Sequence, residues 1–196
     1  MKIMVTGTAG FIGFHLALRL LDRGDDVIGI DNINDYYDVK LKYGRLQASG
    51  IPRQAIRDNR AVQSKTYPGY RFVKTDLTDK ERLQQLFERE RVDAVCHLAA
   101  QAGVRYSLTN PDSYIASNLT GFFNIIDVSK RHDVENFSFA SSSSVYGLNT
   151  NMPFSVTDPV DHPISIYAAT KKSNELLAHT YSYLYGMRTT GLRFFT

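Results

Sequence analysis

Apolar and polar positions along this chain switch between two periods, and each switch marks the edge of an element. Lys2 to Thr6 is a short apolar run of strand type, and from Phe11 the residues Ile12, Leu16, Ala17, Leu20 and Leu21 recur at helical spacing. Asp26 to Ile30, Tyr70 to Thr75, Asp93 to Leu98 and Phe137 to Ala140 repeat the strand pattern. Helical patterns separate them. Asp79 can cap a helix carrying Leu83, Leu86 and Phe87. Pro111 to Arg131 reads as one long helix with Ile115, Leu119, Phe122, Phe123 and Ile126 on its apolar side. Pro163 can open another helix. Strand and helix alternating through six strands predict an α/β protein with a doubly wound parallel sheet flanked by helices. Such sheets take ligands beyond the carboxyl ends of their strands.

Chemistry gathers at those ends. Thr6 to Gly13 (TGTAGFIG) joins the first strand to the first helix. Gly7 permits the tight bend, Gly10 lets backbone approach a pyrophosphate, and Gly13 allows close packing of the helix. The helix N-terminus at Phe11 and Ile12 then faces an anion. Asp31 ends the second strand about 20 residues beyond the glycines, where a carboxylate accepts from both ribose hydroxyls and repels a 2′-phosphate. The sheet is therefore expected to be Rossmann-like and to bind NAD rather than NADP.

Further along, Asn32 opens a polar, tyrosine-rich stretch whose Tyr36, Tyr37, Leu41 and Tyr43 are expected over the adenosine end. Asp76 and Leu77 would border the adenine. Leu98, Ala99, Ala100 and Gln101 lead into small residues that let backbone lie close to a ligand. Asn118 has two readings, a brace for a catalytic lysine through a side chain or water, or a surface asparagine. His97 reads as a structural residue at a strand end.

Composition narrows the class. At 196 residues the chain fits one domain. Cys96 is the single cysteine, so no disulfide forms within the chain and a reducing compartment is expected. A strand starting at Lys2 leaves no room for a secretory signal, and no apolar run approaches bilayer-spanning length. The reading is cytoplasmic, with no membrane partner and no metal site. Net charge is only +3, yet Lys40 to Lys74 holds nine Lys or Arg against the single acid Asp58. Without a nucleic-acid motif, that stretch reads as a solvated face. The segment Ala48 to Gly69, with Gly50, Pro52, Pro68 and Gly69, reads as a long excursion outside the core, free to be mobile.

The catalytic pattern is Tyr167 followed four residues later by Lys171, one helical turn apart on one face. A free phenol titrates near about 10, and a neighbouring ammonium lowers that value. Lys171 can also bond the nicotinamide ribose. A hydroxyl from the run Ser141 to Ser144 can hold a substrate oxygen while its proton passes to Tyr167. Either feature alone is weak. Together with the glycine turn they point to hydride transfer.

These residues resemble the extended short-chain dehydrogenase/reductase family, within it the NAD-dependent epimerases and dehydratases, and the likeness covers essentially the whole chain. Aligned on Val145-Tyr146-Gly147, the family's serine falls on Ser142 and its tyrosine and lysine on Tyr167 and Lys171. His97 to Ser107 (HLAAQAGVRYS), Ser141 to Gly147 (SSSSVYG) and Leu192 to Thr196 (LRFFT) look like UDP-glucuronate 4-epimerases. That likeness implies a UDP-sugar substrate touching Gly103, Val104, Arg105, Ser142 and Ser143, with Arg105 meeting a carboxylate; a surface arginine is its alternative. Ser143 and Ser144 stand where the family's dehydratases carry an acid, which favours simple oxidation and re-reduction at C4. The family continues past Thr196 into a substrate domain missing here, so residues 1–196 are read as the NAD-binding part. Apolar surface left uncovered there favours self-association, and a homodimer is compatible with it. Three alternatives stay open: another UDP-hexose 4-epimerase, a sugar-nucleotide dehydratase, and a non-catalytic NAD-binding module.

Overall fold

The computed structural model describes residues 1–195. Seven strands form one sheet in the order β3-β4-β2-β1-β5-β6-β7. They are β1 (Lys2–Thr6), β2 (Asp26–Asp31), β3 (Ala61–Gln63), β4 (Tyr70–Lys74), β5 (Ala94–His97), β6 (Asn136–Ser142) and β7 (Arg188–Phe194). All neighbours pair in parallel except the short edge strand β3, which runs antiparallel to β4. The parallel strands read as unbroken apolar runs because both faces are covered. On one face Met4, Ile28, Val95 and Phe137 pack with Leu83, Phe87, Phe122 and Ile126. On the other Ile3, Val5 and Val27 pack with Ala17, Leu20 and Leu46.

The helices are α1 (Phe11–Asp22), α2 (Val39–Ala48), α3 (Lys80–Glu90), α4 (Pro111–Tyr114), α5 (Gly121–Arg131) and α6 (Ile166–Tyr185). Asp79 caps α3 by accepting from the Arg82 amide at 3.0 Å. Chain order turns back on itself at β1, with β2 on one side and β5 on the other. That reversal opens the crevice in which such sheets bind nucleotides.

Four expectations need correction. The sheet has seven strands rather than six, and two of them lie outside the stretches named as strands: β7 after α6, and β3 in the segment read as an excursion. That segment is not a free loop: Ile51, Ile56 and Val62 are buried with Tyr70 and Phe72. The Ser64 hydroxyl staples it by donating to the Ser49 carbonyl at 2.8 Å. Its glycines and prolines shape turns between buried anchors, which composition alone does not reveal.

The helix expected over 111–131 is interrupted by a π-helical segment, Ile115–Thr120, between α4 and α5. One added residue per turn rotates the apolar face. Ile115 and Phe123 are therefore exposed, and Ile125 and Val128 are buried beside Phe122 and Ile126. Finally, α6 opens at Ile166 rather than Pro163, with Ser165 as its cap accepting from the Ala168 amide at 3.0 Å.

Candidate active site

The turn after β1 has no room for side chains at two of its glycines. Gly7 sits at φ 78°, and a Cβ there would stand 2.9 Å from the Ala99 nitrogen, while one on Gly13 would run into the Gly7 carbonyl. Gly13 thus packs α1 on the turn itself. Gly10 caps α1 without a side chain to accept from its first turn, and that turn carries no acid. The first amides of α1 are left for an outside anion, and Phe11 and Ile12 lie exposed there. This cradle fits a dinucleotide pyrophosphate.

Gly7, Gly10, Asp31, Asn32, Asp76, Leu77, Leu98, Ala99 and Ala100 line a single cleft. Tyr36 and Tyr37 join them as expected. Leu41 and Tyr43 do not: Leu41 faces solvent, and the Tyr43 ring lies under the Arg53 guanidinium at 4.3 Å.

Asp31 is buried at the end of β2. Its Oδ2 accepts from the Ala9 amide at 3.1 Å and its Oδ1 from the Ile33 amide at 2.8 Å. Ile33 reaches that position at φ 55°, a left-handed conformation that a β-branched residue adopts only under strain. Burial pushes the Asp31 carboxyl up, and the Lys42 ammonium pulls it back. Lys42 stands 4.0 Å from Asp31 Oδ1 and donates to Asn34 Oδ1 at 2.6 Å. Sequence reading passed over Lys42. The signal was its place on the inward stripe of α2 with Val39 and Leu46, where a lysine is out of keeping.

The reactive side chains stand at the ends of β6 and α6. Ser142 closes β6 and starts a 3-10 turn over Ser143–Tyr146, its hydroxyl accepting from the Ser144 amide at 3.1 Å. Tyr167 lies in the first turn of α6, and Lys171 one turn further is buried with its Nζ donating to the Ala140 carbonyl at 2.8 Å. Burial pulls Lys171 down to about 8, so it remains mostly charged at neutral pH. The phenol does not follow expectation. Burial raises Tyr167 above its ordinary value, and only the Ser142 hydroxyl facing it works the other way. Lys171 Nζ is 5.9 Å from the Tyr167 ring centroid, too far in this state to offset desolvation.

Asn118 is buried rather than a surface asparagine, and its side chain does not bond Lys171 directly. Its Oδ1 accepts from the Gln101 amide at 2.8 Å, and its Nδ2 donates to the Gln101 carbonyl at 3.0 Å and to Thr170 Oγ1 at 3.2 Å. It clamps the peptide of Gln101 to α6. The Asn118 carbonyl, within the π-helical segment, accepts from the Asn174 amide at 2.7 Å once that amide is oriented to its surroundings.

On the substrate side, Gly103 has φ 95°, and a Cβ there would run into the Tyr36 hydroxyl. Tyr114, also missed in the sequence, donates to the Ala102 carbonyl at 2.6 Å and sets its ring 6.1 Å from that of Tyr167. Val104 and Arg105 are exposed, and Ser143 is half-buried. Among the described residues no cluster of metal-ligating side chains occurs, and no helix is long and apolar enough to cross a membrane.

A glycine cradle at a topological switch point and a buried carboxylate at the next strand end define a dinucleotide-binding α/β protein, with a serine, a tyrosine and a lysine at the ends of β6 and α6. The chain belongs to the NAD dependent epimerase/dehydratase family, whose model matches residues 3–196. It is 53% identical to Protein CapI of Staphylococcus aureus over 100% of this chain and 54% of that protein. It is 48% identical to UDP-glucuronate 4-epimerase 2 of Arabidopsis thaliana, over 100% of this chain and 42% of the plant protein. Among solved structures it resembles UDP-glucuronic acid 4-epimerase from Bacillus cereus in complex with UDP-glucuronic acid and NAD, at TM-score 0.83 and 31% identity, covering 100% of this chain and 57% of that one. The chain spans about half the length of the relatives it matches.

Proposed function

We propose that this chain is the NAD-binding part of a UDP-sugar 4-epimerase, acting on UDP-glucuronate to give UDP-galacturonate. The observation that carries it is the Ser142 hydroxyl facing the Tyr167 phenol at the ends of β6 and α6, one turn from Lys171, with Ser143 and Ser144 where a dehydratase would place an acid. Similarity to UDP-glucuronate 4-epimerases supports the choice of sugar.

Bound NAD supplies the site that takes hydride from C4 and gives it back. The protein's part is proton handling and orientation. Ser142 would hold the 4-oxygen, and Tyr167, once ionised to the phenolate in the loaded site, would take its proton as the C4 bond is oxidised, then return it when the turned sugar is reduced on its other face. Lys171, one turn beyond Tyr167 and charged at neutral pH, would bond the nicotinamide ribose and support the ionised phenol. Asp31, with Asn32 and Asp76, receives the adenosine end, while Gly7, Gly10, Phe11, Ile12 and Gly13 receive the pyrophosphate. Leu98, Ala99, Ala100 and Gln101 form the wall opposite, held in place by Asn118. Gly103, Val104 and Arg105 face the sugar, with Arg105 set to meet its carboxylate.

The test incubates the full-length protein with NAD and individual UDP-sugars and identifies products. UDP-galacturonate from UDP-glucuronate is expected, whereas a 4-keto-6-deoxy product would assign a dehydratase, and binding of NAD without turnover of any sugar would assign a binding module.

A further inference from the structure

Glu175 lies on α6 one turn beyond Lys171 and two beyond Tyr167. Its Oε1 accepts from the Ser141 hydroxyl at 2.6 Å and from Arg193 Nε at 2.9 Å, and its Oε2 accepts from Arg193 Nη2 at 2.9 Å. Ser141 and Arg193 are register partners on β6 and β7. The guanidinium also lies 4.8 Å from the centroid of the Tyr146 ring, at the far end of the serine turn. One carboxylate therefore ties α6 to two strands and, through Arg193, to the turn that begins at Ser142.

The need for such a tie follows from the connection between the two reactive groups. Ser142 ends a strand and Tyr167 starts a helix, and residues 148 to 165 between them contain neither helix nor strand. Leu148, Met152, Val156 and Ile164 along that segment are exposed, while Phe154 and Val160 pack on Val145 and Tyr146 of the serine turn in a cluster that contains no residue of α6; a tie to α6 is the 3.5 Å ion pair of exposed Asp161 with Lys172. The spacing is set instead where α6 bonds to β6. Among the described residues, two polar bonds between α6 and β6 lie next to the pair: Lys171 to the Ala140 carbonyl, and Ser141 to Glu175. The second acts on the residue adjoining Ser142. Burial alone would raise the Glu175 carboxyl, yet the bonds from Arg193 and Ser141 hold it below the usual range, so it stays charged.

We propose that Glu175, through Ser141 and Arg193, is a positioning residue that holds the Ser142 turn in register with Tyr167 and Lys171. This rests on the epimerase reading for its effect on rate, but not for its effect on the turn. A carboxylate and guanidinium kept only for stability would affect folding and cofactor binding alike. A positioning role affects the chemical step first, since small misplacement of reacting groups is costly in rate.

The test uses the full-length protein and three variants. Ser141→Ala removes only the bond from the turn to the carboxylate. Glu175→Gln removes the charge, and Glu175→Gln/Arg193→Gln removes both charges, so that no unpaired buried ion is left to unfold the protein. With UDP-glucuronate as probe, Ser141→Ala is expected to lower kcat at least fivefold with KM, Kd for NAD and Tm nearly unchanged. Glu175→Gln is expected to lose more rate. In the double variant Tm should recover while kcat stays low. Amide exchange of residues 142 to 146, measured with NAD bound, should quicken severalfold in Ser141→Ala while α6 stays protected. Unchanged kcat and exchange in Ser141→Ala overturn the proposal, as does a double variant whose kcat recovers with its Tm. Should the wild-type protein turn over no UDP-sugar, the epimerase reading falls, and the exchange measurement alone decides the positioning role.

Discussion

The hydroxyl oxygen of Thr6 stands 2.9 Å from Nδ1 of His97 and also accepts the amide hydrogens of Leu98 at 3.0 Å and Ala99 at 2.9 Å. With its acceptor sites taken, that hydroxyl has one hydrogen to give, and it goes to Nδ1. His97 is therefore the neutral tautomer with its proton on Nε2, buried between Phe122 and Phe137. The bond network fixes the peptide chain where β5 turns into the cleft wall.

Protonation of His97 breaks this arrangement, and burial, aided by the Lys171 charge, pushes the imidazole down to about 3. Its folded value lies below the unfolded one near about 6.5, so the unfolded chain binds the extra proton first. Stability is complete above about pH 6.5 and falls as pH drops toward 3, with a slope of up to about 1.4 kcal/mol per unit. Urea unfolding between pH 4 and 7 should show this slope. A His97→Asn protein should lack most of it; an equal slope in both would place the sensitivity elsewhere.

Much of this was legible because β1, β2, β4 and β5 are local apolar runs, and because the glycines and Asp31 fall at strand ends that topology must bring together. What escaped was set by tertiary packing. Ile51, Ile56 and Val62 are too widely spaced among charged residues to show a period, so their burial appears only once β4 is in place. The π-helical segment leaves no trace in composition, yet it turns Asn118 inward and Phe123 outward. The phenol shift of Tyr167 was misjudged because spacing along a helix shows that Lys171 is near, but not that burial outweighs its charge.

For the reactive pair, Tyr167→Phe in the full-length protein is expected to lower turnover by at least about 100-fold, the scale of a lost proton-transfer group, while NAD stays bound. Lys171→Ala should damage both turnover and NAD binding. Because the Lys171 ammonium is present below about pH 8 and lost above it, kcat should decline on the alkaline side of that value. Normal turnover by folded Tyr167→Phe would remove the phenol from its assigned role.

Cofactor choice rests on Asp31 and its neighbour Lys42. If the buried Asp31 carboxylate meets the ribose, it disfavours a 2′-phosphate, so NAD is expected to bind at least about tenfold more tightly than NADP. Lys42→Met removes the charge that opposes Asp31's upward shift. The carboxyl should then take a proton at higher pH, and NAD affinity should fall at a higher pH than in the wild type. Fluorescence titration with both cofactors across pH 5 to 8 measures each effect; equal affinity for NADP would contradict the first, and an unmoved pH midpoint the second.

Arg105 is exposed on the loop between the cleft wall and α4, without a side-chain bond to another described residue. If it meets a sugar carboxylate, Arg105→Ala should weaken binding of UDP-glucuronate more than that of UDP-glucose in the full-length protein. A hydrogen bond to a charged group contributes about 1.5 to 3 kcal/mol, so the two losses should differ by about tenfold or more. Equal losses in calorimetric titrations would assign Arg105 to general nucleotide contact.

The 196-residue chain by itself is expected to bind NAD but not to epimerise. Its cofactor elements converge on one cleft, from the Gly7 cradle through Asp31 to the wall at Leu98, Ala99 and Ala100. The substrate side is different. Val104 and Leu108, in the loop after β5, and Leu148, Met152 and Ile164, in the segment between Ser142 and Tyr167, are exposed. A sugar held only at its reacting end lacks the remote contacts that orient C4, and binding energy from such contacts sustains turnover. Uncovered apolar surface in these stretches should also drive self-association in solution. Calorimetry with NAD and a product assay with UDP-glucuronate, run on this chain and on the full-length protein, separate the two halves of the expectation. Turnover by the short chain at a rate comparable with the full-length protein would show that the substrate site is already complete within these residues.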